Sequence, residues 1–142
     1  MDTRRFESDI ERIHQQWHDF ARGRDPEGLL SLYAGNAVLE SPLVPAILDR
    51  DSGILQGHDE LRRFLRQGTD KRPNALVRWH RPPEYYTNGR TLMWEYPRQT
   101  PDGDQIDILE VMDLGGGQIQ QHRIYWGWYG LRHLLNNALS KR

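Results

Sequence analysis

The hydrophobic pattern of the chain changes once, near Leu76, and this change limits the possible fold more than any other feature. Before this point, apolar residues recur at the spacing of amphipathic helices. After it, runs rich in Val, Ile, Trp and Tyr are separated by turn signals at 88–89, 101–104 and 115–117. We therefore expect a group of helices followed by an antiparallel sheet.

The first half of the chain carries the start and stop signals of three helices. Ser8 and Glu11 form a capping box, and Asp25-Pro26 places an N-cap residue before a proline at the first helical position. We expect the second helix to run to Gly35-Asn36 and a third to cover 58–67. The inward residues of the three helices are predicted to be Ile10, Ile13, Trp17, Phe20 and Ala21, then Leu29, Leu30, Leu32 and Tyr33, then Leu61, Phe64 and Leu65.

The remaining elements are predicted from shorter signals. We expect a short strand over 37–41 and an irregular loop over 42–57, a length typical of a lid or a site wall. Four antiparallel strands are predicted near 76–86, 91–99, 104–114 and 118–127. The first is interrupted at Pro82-Pro83, because proline cannot donate to a ladder. Leucines 131, 134, 135 and 139, with Ala138, predict a short C-terminal helix.

Length and composition exclude several classes of protein. The 142 residues fit one domain, 1–142. The absence of cysteine excludes disulfides and thiolate sites, and the net charge of −1 argues against a nucleic-acid partner. No apolar run approaches the roughly 18 residues of a spanning helix, and the charged N-terminus does not resemble a signal peptide. We therefore expect a cytoplasmic protein without a membrane partner.

Glu110 is the sharpest candidate for chemistry, because it lies in a strand whose two faces are both largely apolar. If the glycine loop has three residues, Glu110 lies directly across from His122, Ile108 from Ile124 and Ile106 from Trp126. A two-residue loop instead places Glu110 beside Gln121 and sends His122 to the other face. The first register predicts a Glu–His pair inside an apolar cavity.

Such a pair can do two things. It could share one proton near neutral pH, with His122 as general acid or base and Glu110 orienting it or protonating an enolate oxygen. It could also be a buried polar pair whose members simply satisfy each other. The predicted catalytic residues are Glu110 and His122.

Aromatic residues are concentrated in the predicted sheet, where nine of the eleven Trp and Tyr residues lie between Trp79 and Tyr129. Strand alternation places Leu92, Trp94 and Tyr96 on one face, and Met93 and Glu95 on the other. We expect an open pocket for a flat, apolar, cyclic ligand, although the same rings could fill the core. The predicted binding residues are Trp17, Tyr33, Glu40, Trp94, Tyr96, Met112, Ile124 and Trp126; for Glu40, an exposed edge position is the alternative.

Two motif-like strings carry no site. His14 and His18 have the spacing of a zinc helix, but Gln15 stands where such a motif has its Glu, so we expect a solvated or half-buried pair and no metal. The glycines at 115–117 precede a strand, so no helix N-terminus is there to receive a phosphate. No nucleotide or flavin signature is present, and we expect no cofactor.

The order of the elements resembles the nuclear-transport-factor-2-like superfamily, and the local match is to its SnoaL-like polyketide cyclases. The matching residues are Trp17 late in helix one, Arg24-Asp25-Pro26, Leu32-Tyr33-Ala34, the strand ending at Ser41-Pro42, and Gly57-His58-Asp59-Glu60-Leu61. The resemblance implies an α+β fold in which a cone-shaped, curved antiparallel sheet wraps over three N-terminal helices. It also implies a deep apolar pocket and a homodimer formed through the sheet.

The ketosteroid isomerases of the superfamily supply a catalytic pattern that this chain matches only in part. Ser41 stands at the position of the general-base Asp, and Trp17 at that of the Tyr that donates to the oxyanion. Glu110 is the counterpart of the protonated carboxylic acid. The resemblance therefore implies the pocket but not the steroid-isomerase reaction.

Two functions remain open from the sequence. The first is an isomerase, cyclase or dehydratase that moves protons on a small hydrophobic molecule with Glu110 and His122. The second is a non-catalytic module for ligand binding or dimerisation. We expect Leu109, Val111, Ile119 and Tyr125 to form an outer sheet face that is too apolar to be exposed, which favours a homodimer.

Overall fold

The computed structural model describes residues 6–71, 85–96, 99–100, 103–104 and 107–135. Helices come first, a sheet follows, and a short helix closes the described chain. The α+β fold expected from the sequence is thus confirmed. The elements are α1 (Asp9–Arg22), α2 (Pro26–Leu30), β1 (Tyr33–Glu40), α3 (Leu43–Leu48), β2 (Ile54–Gln56), α4 (His58–Lys71), β3 (Tyr86–Thr87), β4 (Thr91–Tyr96), β5 (Gln99–Thr100), β6 (Gly103–Asp104), β7 (Ile108–Gly115), β8 (Gln118–Trp126) and α5 (Trp128–His133).

The predicted helix starts are confirmed by their caps. The Ser8 hydroxyl accepts a hydrogen bond from the Glu11 amide at 3.1 Å, and the Asp25 carboxylate accepts one from Gly28 at 2.9 Å. These bonds satisfy amides that a helix leaves without partners in its first turn. Each helix then buries its apolar side, and the residues most fully covered are Ile13 and Leu61.

The second helix is shorter than predicted. It ends at Leu30, and Tyr33 begins strand β1, which also contains Gly35-Asn36. The Ile119 amide of β8 donates to the Leu32 carbonyl at 2.9 Å, and Tyr33 pairs with Ile119. Pairing with a distant strand therefore overrides the local helical spacing.

The expected irregular loop over 42–57 was wrong. An apolar run from Leu43 to Leu48 forms α3, which ends at Asp49 in the left-handed conformation with φ 50°. Ile54–Gln56 then forms β2, which pairs antiparallel with β1. Helix α3 forms here because its apolar side chains Val44, Ala46, Ile47 and Leu48 are buried.

The main sheet has six strands in the order β2-β1-β8-β7-β4-β3. It is mixed rather than purely antiparallel, since β1 runs parallel to β8. Of the predicted strand over 76–86, residues 76–84 lie outside the described residues, and so do 138–139 of the predicted final helix. Among the described residues, no helix is both long and apolar enough to cross a membrane.

The β7–β8 hairpin has a register that neither sequence alternative predicted. The turn has two residues, Gly116 and Gly117, both with positive φ, and Gly115 pairs with Gln118. A bulge at Gln120 then inserts one residue, so Met112 pairs with His122, and Glu110 with Ile124. Because a bulge adds one residue to a two-residue alternation, His122 returns to the face of Glu110.

The same bulge corrects one residue of the predicted outer face. Ile119 lies on the turn side of the bulge, and it is fully buried in the core instead of facing outward. Tyr125 lies beyond the bulge and is about half exposed, at 53%. The predicted pairings of Ile108 with Ile124 and of Ile106 with Trp126 were wrong; Ile108 pairs with Trp126.

Helix α5 is anchored by the carboxylate of Asp107, the residue immediately before β7. The Asp107 side chain accepts a hydrogen bond from the Gly130 amide at 2.6 Å, and its carbonyl accepts one from Gly127 at 2.6 Å. A Cβ atom at position 127 would overlap the Asp107 carboxylate. Gly127 therefore allows the backbone to approach Asp107 closely. The two hydrogen bonds to Asp107 then fix the start of α5, which carries Leu131.

We predict that Gly127→Ala lowers the free energy of unfolding by about 1–3 kcal/mol, the usual cost of overpacking. Chemical denaturation followed by circular dichroism measures this change. Gly35→Ala is the matched control, because a Cβ atom there meets no atom within 4 Å. Equal effects of the two substitutions would contradict the close approach at Asp107.

Candidate active site

Three buried polar side chains form one chain of hydrogen bonds inside the fold. The Tyr33 hydroxyl lies 2.7 Å from Nδ1 of His122, and Nε2 of His122 lies 2.6 Å from Oε1 of Glu110. The three residues are only 1–2% exposed. The chain therefore links β1, β8 and β7 through their side chains.

The strand register explains how these residues meet. His122 has Leu39 of β1 on one side and Met112 of β7 on the other. Glu110 is two residues away from Met112 on β7, so it is a diagonal neighbour of His122. Long side chains on one sheet face reach each other at this separation. The predicted Glu–His contact is therefore present, although the two residues are not directly opposed.

The environment of Tyr33 determines where its proton resides. Burial raises the pKa of Tyr33 far above its ordinary value, and the negative charge of Glu110 raises this pKa further. The phenol therefore keeps its proton, and its O–H can donate a hydrogen bond to Nδ1 of His122. In that arrangement Nε2 carries the imidazole N–H and donates it to the Glu110 carboxylate.

Aromatic rings enclose the hydrogen-bonded chain. Trp17 packs edge-on to His122, with ring centroids 6.5 Å apart, and Trp17 also contacts Trp94 at 5.3 Å. Trp94, Tyr96 and Met112 are completely buried. These residues, predicted to line a pocket, lie in the packed interior, where they keep water away from Glu110 and His122.

An open groove of about 460 Å³ lies where β1 and β8 end. Three predicted binding residues line it: Glu40, Ile124 and Trp126. Its other walls include Pro42 before α3 and Leu131 of α5. The predicted binding set is therefore divided between this groove and the interior, which holds Trp17, Tyr33, Trp94, Tyr96 and Met112.

Two charged residues border the groove. Glu40 is exposed, as the edge alternative predicted. Its neighbour on β8, Arg123, forms an ion pair with Asp113 at 2.7 Å. This hydrogen bond raises the pKa of Arg123 and lowers that of Asp113. Arg123 is therefore already paired, and Glu40 adds a negative charge at the rim.

The His14–His18 pair is buried rather than solvated or half-buried. The two residues are 5% and 9% exposed, and the ring of His18 packs against Trp94 at 4.9 Å. Nδ1 of His18 lies 2.7 Å from the His14 carbonyl oxygen, and its Nε2 lies 3.5 Å from the Tyr96 hydroxyl. In the described part of the chain, no three His, Cys, Asp or Glu side chains are grouped so that they could hold a metal ion.

Sequence reasoning missed the partner of His122 and most of the groove. Tyr33 was predicted as an apolar residue of helix two. A buried tyrosine usually needs a hydrogen-bond partner for its hydroxyl, and this requirement was the signal that could have pointed to His122. The groove depends on α3 and α5, whose positions follow from tertiary packing. Ser41, at the position of a catalytic base in the ketosteroid isomerase pattern, accepts a hydrogen bond from the Leu43 amide at 3.1 Å and so helps to start α3.

We predict that the free energy of unfolding falls above about pH 10, because the unfolded chain then loses a phenolic proton that native Tyr33 keeps. The stabilisation from the raised pKa is fully present below that pH and is lost as the pH rises. Tyr33→Phe removes this dependence, which is about 1.4 kcal/mol per pH unit for one group. Denaturation between pH 8 and about pH 11 measures the slope. Tyr86→Phe, at an exposed site, should keep the wild-type slope, and an unchanged slope in Tyr33→Phe would contradict the prediction.

Comparisons with known proteins agree with this architecture. A family model described as a SnoaL-like domain matches residues 14–122. No curated protein matches the chain. Similar solved structures include a SnoaL-like protein of unknown function from Burkholderia thailandensis, with 19% identity, coverage of 86% of this chain and 97% of that chain, and a TM-score of 0.69.

Two further structures share the fold. An NTF2-like protein of unknown function from Burkholderia pseudomallei has 14% identity, covers 90% of this chain and 96% of its own, and has a TM-score of 0.68. A proposed ketosteroid isomerase from Kribbella flavida has 14% identity and a TM-score of 0.61, and the match covers 84% of this chain and 78% of that chain. The family match spans more than half of the chain, and the resemblance found in the sequence is confirmed: this protein belongs to the SnoaL-like family.

Proposed function

We propose that this protein binds a small hydrophobic molecule in the groove and transfers a proton on it without a cofactor. Isomerisation, cyclisation and dehydration are reactions of this kind. The observation that carries the proposal is the buried chain of Tyr33, His122 and Glu110, since such a chain can hold and move a proton where water is excluded. At one end of this chain, Glu110 is the cross-strand partner of Ile124, which lines the groove.

From the strand order, we infer different roles for the two predicted catalytic residues. Glu110 lies opposite Ile124, which lines the groove. His122 lies two residues deeper along β8, between Leu39 and Met112. Glu110 is therefore the group that meets the ligand and exchanges its proton, while His122 and Tyr33 orient the carboxylate and stabilise its charge.

The groove favours a neutral ligand that carries a carbonyl group. Its walls are largely apolar, with Pro42, Ile124, Trp126 and Leu131 among them. The exposed Glu40 carboxylate at the rim repels anions, and Arg123 is already paired with Asp113. A cyclic ketone or enone meets these conditions and has an acidic carbon next to its carbonyl.

A second candidate function is ligand binding without catalysis. It is favoured by the completely buried Trp94, Tyr96 and Met112, which fill the interior where the resemblance implies a deep pocket. A ligand would then stay in the groove, and Glu110 and His122 would only satisfy each other. The two functions differ in whether a bound ketone exchanges its protons.

We predict that the protein catalyses exchange of the protons next to the carbonyl of cyclohex-2-enone or a related bicyclic enone in heavy water. Glu110→Gln and His122→Ala should lower the exchange rate by about 10²-fold or more, because each removes part of the acid–base group. Proton NMR of the ligand measures exchange, and circular dichroism verifies that the variants fold.

Glu95→Gln is the matched control, since Glu95 is exposed on the other face of the sheet and should leave exchange unchanged. Binding of the enones without exchange would support the second function and contradict the first. Exchange at the wild-type rate in both Glu110→Gln and His122→Ala would also contradict the catalytic function.

We also propose that the protein forms a homodimer through its outer sheet face. One row of neighbouring residues crosses all six strands: Tyr86, Met93, Val111, Arg123, Glu40 and Ile54. Tyr86, Ile54 and the nearby Tyr125 are each about half exposed, at 49–53%. The row also contains the charged Glu40 and Arg123, and Val111 is already buried within the single chain. A second copy on this face would cover the exposed Tyr86, Ile54 and Tyr125, since grouped apolar side chains are rarely left open to water.

We predict that light scattering gives twice the chain mass for the wild type and the single chain mass for Tyr125→Lys, since a buried lysine charge opposes association. Gln118→Lys adds the same charge at the hairpin and should remain dimeric. A monomeric wild type, or a dimeric Tyr125→Lys, would contradict the sheet-face interface.

A further inference from the structure

One side chain lies between the open groove and the buried hydrogen-bonded chain. Ile124 lines the groove, and it also packs against the hydrophobic core. It is the direct cross-strand partner of Glu110, so the two Cβ atoms are about 4.5–5.5 Å apart on the same sheet face. A ligand in the groove therefore meets Ile124 before it meets Glu110.

The other residues of the groove wall are not placed in this way. Trp126 pairs with Ile108, which is two residues farther along β7 from Glu110. Tyr125 and Arg123 belong to the outer face, because side chains alternate along β8. Leu131 is carried by α5, outside the sheet. Trp126 is thus a diagonal neighbour of Glu110, whereas Ile124 is the residue of the described groove wall that pairs with Glu110 directly.

We propose that Ile124 is the gate of this site, and that its size determines which ligands reach Glu110 and His122. The branched side chain covers the carboxylate on the groove side and keeps bulky ligands away from it. Smaller side chains at this position widen the passage, since truncating a buried aliphatic residue leaves a void that neighbours fill only partly. The inference rests on the proposed function only in treating Glu110 and His122 as the reaction centre.

The test measures access to His122 directly and requires no turnover. Diethyl pyrocarbonate modifies imidazole nitrogens, and mass spectrometry of peptides gives a separate rate for each histidine. Ile124→Ala should raise the labelling rate of His122 by about tenfold, because the truncation opens a void next to Glu110. Ile124→Val, which perturbs packing less, should give a smaller increase of the same sign.

Two controls separate a gate from general loosening of the fold. Ile119→Ala removes the same atoms from the same strand, at a fully buried site near the hairpin turn, and should leave the His122 rate near the wild-type value. His14 and His18, which lie on the buried side of α1, report on the whole core. Their rates should not change in Ile124→Ala.

Each outcome decides the proposal. A rise in the labelling rate of His122 alone in the Ile124 variants supports the gate. If the protein also fails to exchange enone protons, only the proposed function fails. An unchanged His122 rate in Ile124→Ala overturns the gate. So does a rise that His14 and His18 share, or one that Ile119→Ala reproduces.

Discussion

The hydrogen bonds from Tyr33 through His122 to Glu110 join three strands of the sheet through buried polar side chains. A buried carboxylate and a buried imidazole are costly unless each finds a partner. Here the partners come from three strands, two of which, β1 and β8, are 89 residues apart at the contact. The parallel pairing of β1 with β8 is therefore what allows a polar chain to exist inside an aromatic core.

The same arrangement places the site close to solvent without exposing it. The interior around His122 is filled by Trp17, Trp94 and Met112, so the cone is not an open cavity down to its base. The open volume is instead at the end of β1 and β8, between α3 and α5. Ile124 lines this groove and is the cross-strand partner of the buried Glu110.

Parts of this site could be predicted from the sequence because the signals are local. The two-residue alternation along β7 and β8 left two registers open, one of which placed Glu110 and His122 on the same face, and their residue types indicated a proton-sharing pair. The exact register was not predictable, since the bulge at Gln120 has no clear signal in the chain. The predicted contact was nevertheless right, because diagonal neighbours on a sheet face are still within reach.

The sequence by itself determined the α+β class, the helix caps at Ser8 and Asp25, and the family, because each depends on residues close together in the chain. Only the tertiary structure decided that Tyr33 starts a strand, that Ile119 faces inward, and that Leu43–Leu48 forms a helix beside the groove. These features depend on packing between segments far apart in the chain. Contacts of that kind override the modest local preferences that a single sequence reveals.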